Sequence, residues 1–509
     1  MNSAKPTQKQ LDDLIQFYQT GRYVDAEKIS LTITQKFPKH PLAWKVLTVV
    51  LQQTGRIKES LAASQKSTQL EPQDSSAHNN LGNALKALNK FEEAESSYKQ
   101  AILLKPDFAE TYNNLGNTLK ELNKFEEAES SYKQAILLKP DFAEAHYNLG
   151  NTVKKMDRFE EAESSYRQAI LLKPDFAEAY KNLGNILQEL NKFEEAISTF
   201  AKAIDINPQL SLPRKDLIQL LTIYTPQEEF SHPIIRVNKK IKEIYQKENI
   251  SGIISDDKVI QIICKSTNII NEHSLELESQ FSHISQVYRK NSIDLNCKRH
   301  KSIFNKFNII PDFCFGCYKV QVEPRSILEL IKLLLVFDQI KLDNNNTRKC
   351  MIEMRSEVSG FYKGLIYCSS MEEAYQISDY LEIVLKENIE PKLYPAVKRG
   401  CSEYSILFPD YKVIAKSGPQ LMNYNKDWKL IEEEHDSSSL KVINNKIPLS
   451  LFGLNLNDVL IIRNWIDYAK GIGDPSVHLL KENTVFSPNI YKIAKTRVKK
   501  YPWQKKTPK

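Results

Sequence analysis

The sequence predicts a chain of two parts, an all-α superhelical solenoid followed by an α/β module. Two observations support this fold class. The string at residues 89–110 occurs again, unchanged, at 123–144, so this part of the sequence repeats at a constant offset. Between residues 311 and 404, stretches rich in β-forming residues alternate with helical patterns in the order β-α-β-β-α-β. Repeats of roughly 34 residues stack into solenoids, and the second order is typical of a small sandwich.

Each repeat has the apolar pattern of a helical hairpin. In the unit that ends at Pro140, the apolar and small positions are Leu115, Gly116, Leu119, Ala128, Tyr132 and Ala135. These residues form one stripe on each of two helices, and the small residues Gly116 and Ala128 let the helices approach closely. Pro140 prevents the second helix from continuing into the next unit. One hairpin cannot bury both stripes, so successive units must stack.

These residues resemble the tetratricopeptide repeat, whose period and Leu-Gly…Ala…Pro skeleton they match. Six units occupy residues 4–207, and the first two, 4–37 and 38–71, are degenerate. The resemblance implies an α-solenoid that binds polypeptides. After it, we expect a capping helix and a helical linker over residues 208–295.

Two rows of asparagines recur within the repeats at constant phase. The rows consist of Asn80, Asn114, Asn148 and Asn182, and of Asn83, Asn117, Asn151 and Asn185. Asparagine is a poor residue for a helix interior, and an amide suits the backbone of an extended peptide. The rows resemble the asparagine ladder of O-linked N-acetylglucosamine transferase, which implies an extended polypeptide partner. The alternative is that duplication copied these residues and that they serve solubility.

Residues 296–404 are expected to form a ferredoxin-like βαββαβ module. The predicted strands are 317–323, 350–355, 362–368 and 393–399, and the predicted helices are 327–340 and 370–385. Right-handed crossovers give the spatial strand order 4-1-3-2. A mixed α/β extension over 405–491 and a basic tail over 492–509 follow.

The predicted order brings cysteines to one edge of the sheet. The candidate metal ligands are Cys314, Cys317, Cys350, Cys368 and Cys401, with Cys297 and His300 in the preceding segment. Gathered thiolates suit zinc or an iron–sulfur cluster, although the outer strands are roughly 14 Å apart, too far for all five to hold one zinc ion. A redox dithiol and ordinary buried cysteines are the alternatives.

A nucleic-acid partner is a further alternative. Lys363, Gly364 and Tyr367 resemble the third-strand motif of the RNA recognition motif, Leu365 departs from it, and the first strand offers only Tyr318. The tail over 492–509 is basic, with interleaved aromatic residues, so RNA or another anionic partner would suit it. Such a tail is also typical of a solvated, disordered end.

Composition favours an ordinary globular protein. Of the 509 residues 41% are hydrophobic and 26% charged, and the net charge is +7. We find no long apolar run, signal peptide or known catalytic motif, and nothing outside the repeats implies glycosyltransferase activity. We therefore expect a cytoplasmic interaction or scaffold protein. A metalloprotein or enzyme whose repeats recruit substrate is the alternative, and an RNA-binding adaptor is a lesser one.

Overall fold

The computed structural model divides the chain into two compact units, residues 1–213 and 214–509. It describes residues 5–248, 250, 252–273, 277, 281–291, 297–356, 358–389, 393–401, 404, 405, 407–415, 420–438, 449–481 and 484–501. Among these residues, no helix combines the length and the apolar character needed to cross a membrane.

The first unit consists of six consecutive helical hairpins, as predicted. Their helices are Gln8–Gln19 with Tyr23–Lys36, Pro41–Gln53 with Ile57–Leu70, Ser75–Ala87 with Phe91–Leu104, Ala109–Glu121 with Phe125–Leu138, Ala143–Lys155 with Phe159–Leu172, and Ala177–Glu189 with Phe193–Ile206. Each turn contains one residue with positive φ, namely Gly21, Gly55, Asn89, Asn123, Asp157 or Asn191. Glycine, asparagine and aspartate tolerate this left-handed conformation best, which explains the composition of the turns.

An aromatic ring packs directly against a glycine within each of the last four hairpins. A Cβ atom on Gly116 would lie 2.7 Å from Cε1 of Tyr132, and one on Gly184 would lie 2.5 Å from Cε1 of Phe200. Both rings are fully buried. The glycine in the predicted skeleton is therefore required because only a hydrogen atom fits between the two helices.

Ion pairs join successive hairpins at a constant sequence separation. Lys124 Nζ lies 2.9 Å from Glu95, Arg158 lies 2.6 Å from Glu129, and Lys192 lies 2.8 Å from Glu163. Each acidic partner is largely buried, so these pairs fix the stacking register in addition to the apolar contacts.

The second unit contains a five-stranded antiparallel sheet. Its strands are β1 (Gln286–Arg289), β2 (Tyr318–Val322), β3 (Arg348–Ile352), β4 (Tyr362–Cys368) and β5 (Ala396–Arg399), in the order β1-β3-β4-β2-β5. The four predicted strands thus neighbour one another in the order 4-1-3-2. β1 was not predicted, and the expectation of a wholly helical linker is wrong at residues 286–289.

Helices complete the second unit. They are Ser211–Leu220 at its boundary, Pro233–Lys247, Asp256–Glu272, Cys297–Phe307, Asp312–Gly316, Ile327–Gln339, Met371–Asn388, Trp428–Ser438, Leu456–Ile472 and Pro488–Lys500, with 3₁₀ turns at Pro409–Lys412 and Pro475–Leu480. Ile327–Gln339 and Met371–Asn388 pack against the same face of the sheet and touch each other. A Cβ atom on Gly364 would lie 2.2 Å from Leu333, so this glycine admits the first of these helices.

Two further expectations need correction. The described part of 405–491 is helical and contributes no strand, in contrast to the predicted mixed extension. The start of the basic tail is part of the helix Pro488–Lys500, in which Arg497 is 3% exposed and donates to Tyr468 Oη at 2.9 Å and to the carbonyl oxygens of Val358 and Gly360. Apolar Ile490 and Ala494, four residues apart, give this basic helix a buried face. Residues 502–509 lie outside the described residues.

A buried arginine ties the sheet to its helices. Arg289 on β1 lies 2.6 Å from Asp338 and 2.8 Å from Asp458, and all three side chains are buried. Burial raises the pKa of Asp338, which the nearby arginine opposes. Elsewhere in the unit, burial opposes ionisation of Glu353, but hydrogen bonds from Arg355 and Lys363 prevail and hold its pKa at about 2.

Candidate functional site

The first helices of the hairpins form the inner face of the solenoid. Along the stack, each first helix touches the first helix of the next hairpin, whereas second helices contact one another less. A stack of this kind curves towards its first helices. Both asparagine rows lie on these helices, and their members are half-buried or, for Asn182, buried. The predicted binding residues therefore share one continuous surface, which we call the inner groove.

In the second row, the amide oxygen is held by a tyrosine of the same hairpin. Tyr98 Oη donates to Asn83 Oδ1 at 2.7 Å, and the equivalent bonds are Tyr132 to Asn117 at 2.9 Å and Tyr166 to Asn151 at 2.8 Å. The amide nitrogens of Asn83 and Asn117 donate to no atom of the described chain. Asn185 differs because the ring that faces its hairpin belongs to Phe200, which has no hydroxyl.

In the first row, the amide nitrogen is held by the preceding hairpin. Asn114 Nδ2 donates to Asn79 Oδ1 at 3.2 Å, and Asn148 Nδ2 donates to Asn113 Oδ1 at 2.9 Å. Asn182 Nδ2 continues the pattern with bonds to Tyr147 Oη at 3.1 Å and Asn151 Oδ1 at 2.8 Å. Asn80 begins the row, and its backbone carbonyl accepts from Gln52 Nε2 at 3.0 Å.

The two rows consequently present opposite hydrogen-bonding groups. Asn83 and Asn117 have a fixed oxygen and an amide nitrogen that is left to donate. Asn114 and Asn148 have a fixed nitrogen and an amide oxygen that accepts from no described residue. The sequence identifies the asparagines but not this division, which depends on tyrosines in the second helices and on polar residues one hairpin earlier.

A row of lysines runs beside the asparagines. Lys86, Lys120 and Lys154 follow the second-row asparagines by three residues and so share their helix face. Burial lowers the pKa of Lys86, the positive charge of Lys120 lowers it further, and the negative charge of Glu121 opposes both. Neighbouring lysines thus repel one another along the groove. This row was not predicted, although its constant period is visible in the sequence.

The cysteines do not all meet at one edge of the sheet. Cys314 lies in Asp312–Gly316, Cys317 follows that helix, Cys368 ends β4, and Cys401 comes two residues after β5 ends. These four lie near one end of the sheet. Cys350 does not, because β3 begins two residues earlier than predicted and Cys350 pairs with Gly364 in mid-strand. The prediction that Cys350 starts the strand is wrong.

The local chemistry favours protonated thiols. A hydrogen bond with Cys401 and burial raise the pKa of Cys314, and burial raises the pKa of Cys317 and of Cys368 to about 12. Burial likewise raises the pKa of Cys350. Protonated thiols are poor nucleophiles, which does not favour a redox dithiol.

The structure offers little support for a metal centre. Cys297 is exposed, and His300 is buried and stacks on Phe313 with ring centroids 5.0 Å apart. Within the described part of the chain, no three His, Cys, Asp or Glu side chains are grouped so that they could hold a metal ion. The metal site stays a prediction.

The residues of the RNA-recognition alternative lie on opposite faces of the sheet. The register pairs Tyr318 with Cys368 and Lys319 with Tyr367, so Tyr318 faces the helices and Tyr367 faces away from them. Tyr318 therefore cannot act with Tyr367 as a second stacking platform. On the face that points away from these two helices, Tyr367 is instead accompanied by Tyr288 of the unpredicted strand β1.

Comparison with known families identifies the first unit. A "TPR repeat" profile matches residues 82–123 and 116–157, and the "Tetratricopeptide repeat" profile matches 143–176 and 177–210. The repeats are tetratricopeptide repeats. The matched residues make up about a quarter of the chain, and no family profile accounts for the second unit.

Several solved structures are similar to this chain. YrrB, described as a TPR protein with an unusual peptide-binding site, is 21% identical over 36% of this chain and 95% of its own, with a TM-score of 0.32. MamA is 24% identical over 31% and 93%, with a TM-score of 0.30. A thermophilic TPR protein of Thermus thermophilus is 24% identical over 36% and 98%, with a TM-score of 0.31. No curated protein matches the chain in sequence. Similarity at this level does not extend to function.

Proposed function

We propose that this protein is an interaction or scaffold protein whose inner groove binds an extended polypeptide through the backbone of that polypeptide. The observation that carries the proposal is the division between the two asparagine rows. An extended peptide presents N–H and C=O groups at regular intervals, and these are the groups that the two rows complement. The proposal also gives these asparagines the role that the resemblance to an asparagine ladder implies.

The lysine row favours an acidic partner. Lys86, Lys120 and Lys154 place a positive charge in each of three successive hairpins, on the helix face that carries the second asparagine row. Acidic side chains on the bound segment would relieve the repulsion between these lysines. We therefore expect binding to weaken as the salt concentration rises.

The described residues of the second unit form no catalytic arrangement that we recognise. Its four predicted strands, in the order 4-1-3-2 with two helices on one face, support the proposal that they form a ferredoxin-like sandwich extended by β1. The function proposed for the repeats does not depend on this class, and a cytoplasmic location stays a prediction.

A display screen on the full-length protein tests the proposed function. Peptides selected by the wild type are measured against Asn117→Asp and Asn83→Asp. Aspartate keeps an oxygen for the tyrosine hydroxyl and replaces only the donating nitrogen. We expect each substitution to weaken binding about tenfold, since it replaces a hydrogen bond by two facing acceptors.

The matched control is Gln134→Glu, which makes the same chemical change on the second helix of the hairpin that contains Asn117. The proposal predicts that this control leaves affinity within about twofold. Equal losses from the control and the two groove variants, or no selected peptide that depends on either asparagine, would contradict it.

A further inference from the structure

The face of the sheet opposite the helices Ile327–Gln339 and Met371–Asn388 carries a cavity that the function proposed for the repeats does not use. The cavity has a volume of about 500 Å³. Its floor is formed by Lys319 of β2, Lys349 of β3 and Tyr367 of β4, and Tyr288 of β1 extends it. Strand pairing places these side chains on one face, since Tyr288 is opposite Lys349 and Lys319 is opposite Tyr367.

The cavity is walled on its sides. Phe304 and Asn305 of the helix Cys297–Phe307 and Tyr404 from the segment after β5 contribute to its lining. These walls make the face a pocket instead of an open platform. A volume of this size is typical of sites for one small molecule, whereas a nucleic-acid strand crossing the sheet needs an open surface.

Positive charge dominates the pocket. Four cationic side chains line it, those of Lys301, Lys319, Lys349 and Arg355. Among the described residues that line it, none is acidic. An acid beside the lining, Glu353, forms ion pairs with Arg355 and Lys363, each at 2.8 Å. The described lining therefore carries a net positive charge, which suits an anion.

Burial of one cation strengthens its interaction with an anion. Lys319 is 7% exposed, and its Nζ donates to the carbonyl oxygen of Gly400 at 2.6 Å. An ammonium group removed from water interacts more strongly with an anion than a solvated one does. A phosphate group at this position would also accept charge-assisted hydrogen bonds.

Aromatic rings lie next to the cations. Lys349 Nζ is 5.4 Å from the ring centroid of Tyr288 and 5.6 Å from that of Tyr367. Phe304 and Tyr404 add two more rings to the lining. A ligand that combines a flat ring with an anionic group would contact both kinds of side chain, because rings stack on rings and anions pair with ammonium groups.

We propose that this pocket binds a small phosphorylated molecule with a planar ring, of the nucleoside phosphate class. The cations bind the phosphate, and the aromatic side chains contact the ring. The pocket belongs to the second unit and the inner groove to the first, so the two sites use different residues.

Calorimetric titration of the full-length protein tests the proposal with adenosine monophosphate, adenosine and inorganic phosphate. We expect saturable binding of the monophosphate, at least tenfold tighter than binding of either part. Lys349→Gln should weaken it about tenfold, since one charge-assisted contact is lost. Lys398→Gln is the matched control, because Lys398 lies on β5 of the same sheet but outside the lining, and it should change affinity less than twofold.

Lys301→Gln provides a second variant if Lys349→Gln does not fold, because Lys301 is exposed. A second readout is alkylation of Cys297, an exposed residue of the lining, which the bound monophosphate should slow at least threefold. No saturable binding at millimolar concentration, or equal losses from Lys349→Gln and Lys398→Gln, would overturn the proposal. It would also be overturned if a single-stranded RNA bound far more tightly than the monophosphate and was not displaced by it.

Discussion

Replacing Tyr132 by phenylalanine isolates the contribution of one hydroxyl group to the repeat. The ring is fully buried against Gly116 and would remain in place, while the hydroxyl loses its bond to Asn117 Oδ1 at 2.9 Å and its interaction with Thr152. One neutral hydrogen bond contributes about 1 kcal/mol. Hydrogen exchange of the helix Phe125–Leu138 should therefore become about fivefold faster, as measured by mass spectrometry of its peptides.

The chain provides its own comparison in the last hairpin. Phe200 packs on Gly184 as Tyr132 packs on Gly116, but it has no hydroxyl. We expect Phe200→Tyr to create the missing bond with Asn185, so that exchange of Phe193–Ile206 is unchanged or slower. Unchanged exchange in Tyr132→Phe, or equal acceleration by both substitutions, would refute the reasoning that the hydroxyl orients the asparagine.

Three further predictions concern packing and charge. Gly116→Ala should destabilise the first unit by about 1–3 kcal/mol in denaturant titrations, because its methyl group overlaps the ring of Tyr132; a loss below about 0.5 kcal/mol would contradict this packing. Arg289→Met should lower the free energy of unfolding by about 3–5 kcal/mol, because it leaves the buried carboxylates of Asp338 and Asp458 without their cation. Lys398→Gln, at an exposed ion pair, should lower it by less than about 1 kcal/mol, and similar losses from the two substitutions would contradict the role of burial. The pKa of Glu353 is about 2, below its ordinary 4.5, so its contribution to stability is present above about pH 4.5 and is lost as the pH falls to about 2. The free energy of unfolding, measured from about pH 7 to about pH 2, should fall in the wild type and fall less in Glu353→Gln. Equal pH dependence of the two proteins would contradict the role of the Glu353 carboxylate.

The repeat was predictable because its signal is local and recurs. The constant period places Pro140 after Leu138, and Asn123 in the turn, without any long-range information. The sequence could not show which amide atom of each asparagine already forms a hydrogen bond within the chain. That depends on Asn79 and Asn113, one hairpin away, and on tyrosines whose hydroxyl positions emerge only when the helices pack.

The second unit was less predictable because its strands are short. β1 has four residues, and its polar and charged side chains do not form the apolar alternation that indicates a strand. A shift of two residues at the start of β3 moved Cys350 from the predicted edge into mid-strand. The many basic residues of the C-terminal segment favoured the prediction of a solvated tail, so the buried position of Arg497 was missed. The spacing of Ile490 and Ala494 would have indicated a packed helix.

The most direct test of backbone recognition changes the peptide instead of the protein. A selected peptide is synthesised with single ester bonds in place of amides, which removes one N–H donor at a time and retains every side chain. Calorimetry with the wild type should show about a tenfold loss of affinity at one or more positions. Asn114→Ala, which lacks one of the accepting oxygens, should abolish the loss at the position that donates to Asn114. Equal affinity of all the ester peptides for the wild type would contradict the account, because it would mean that the inner groove does not accept hydrogen bonds from the peptide backbone.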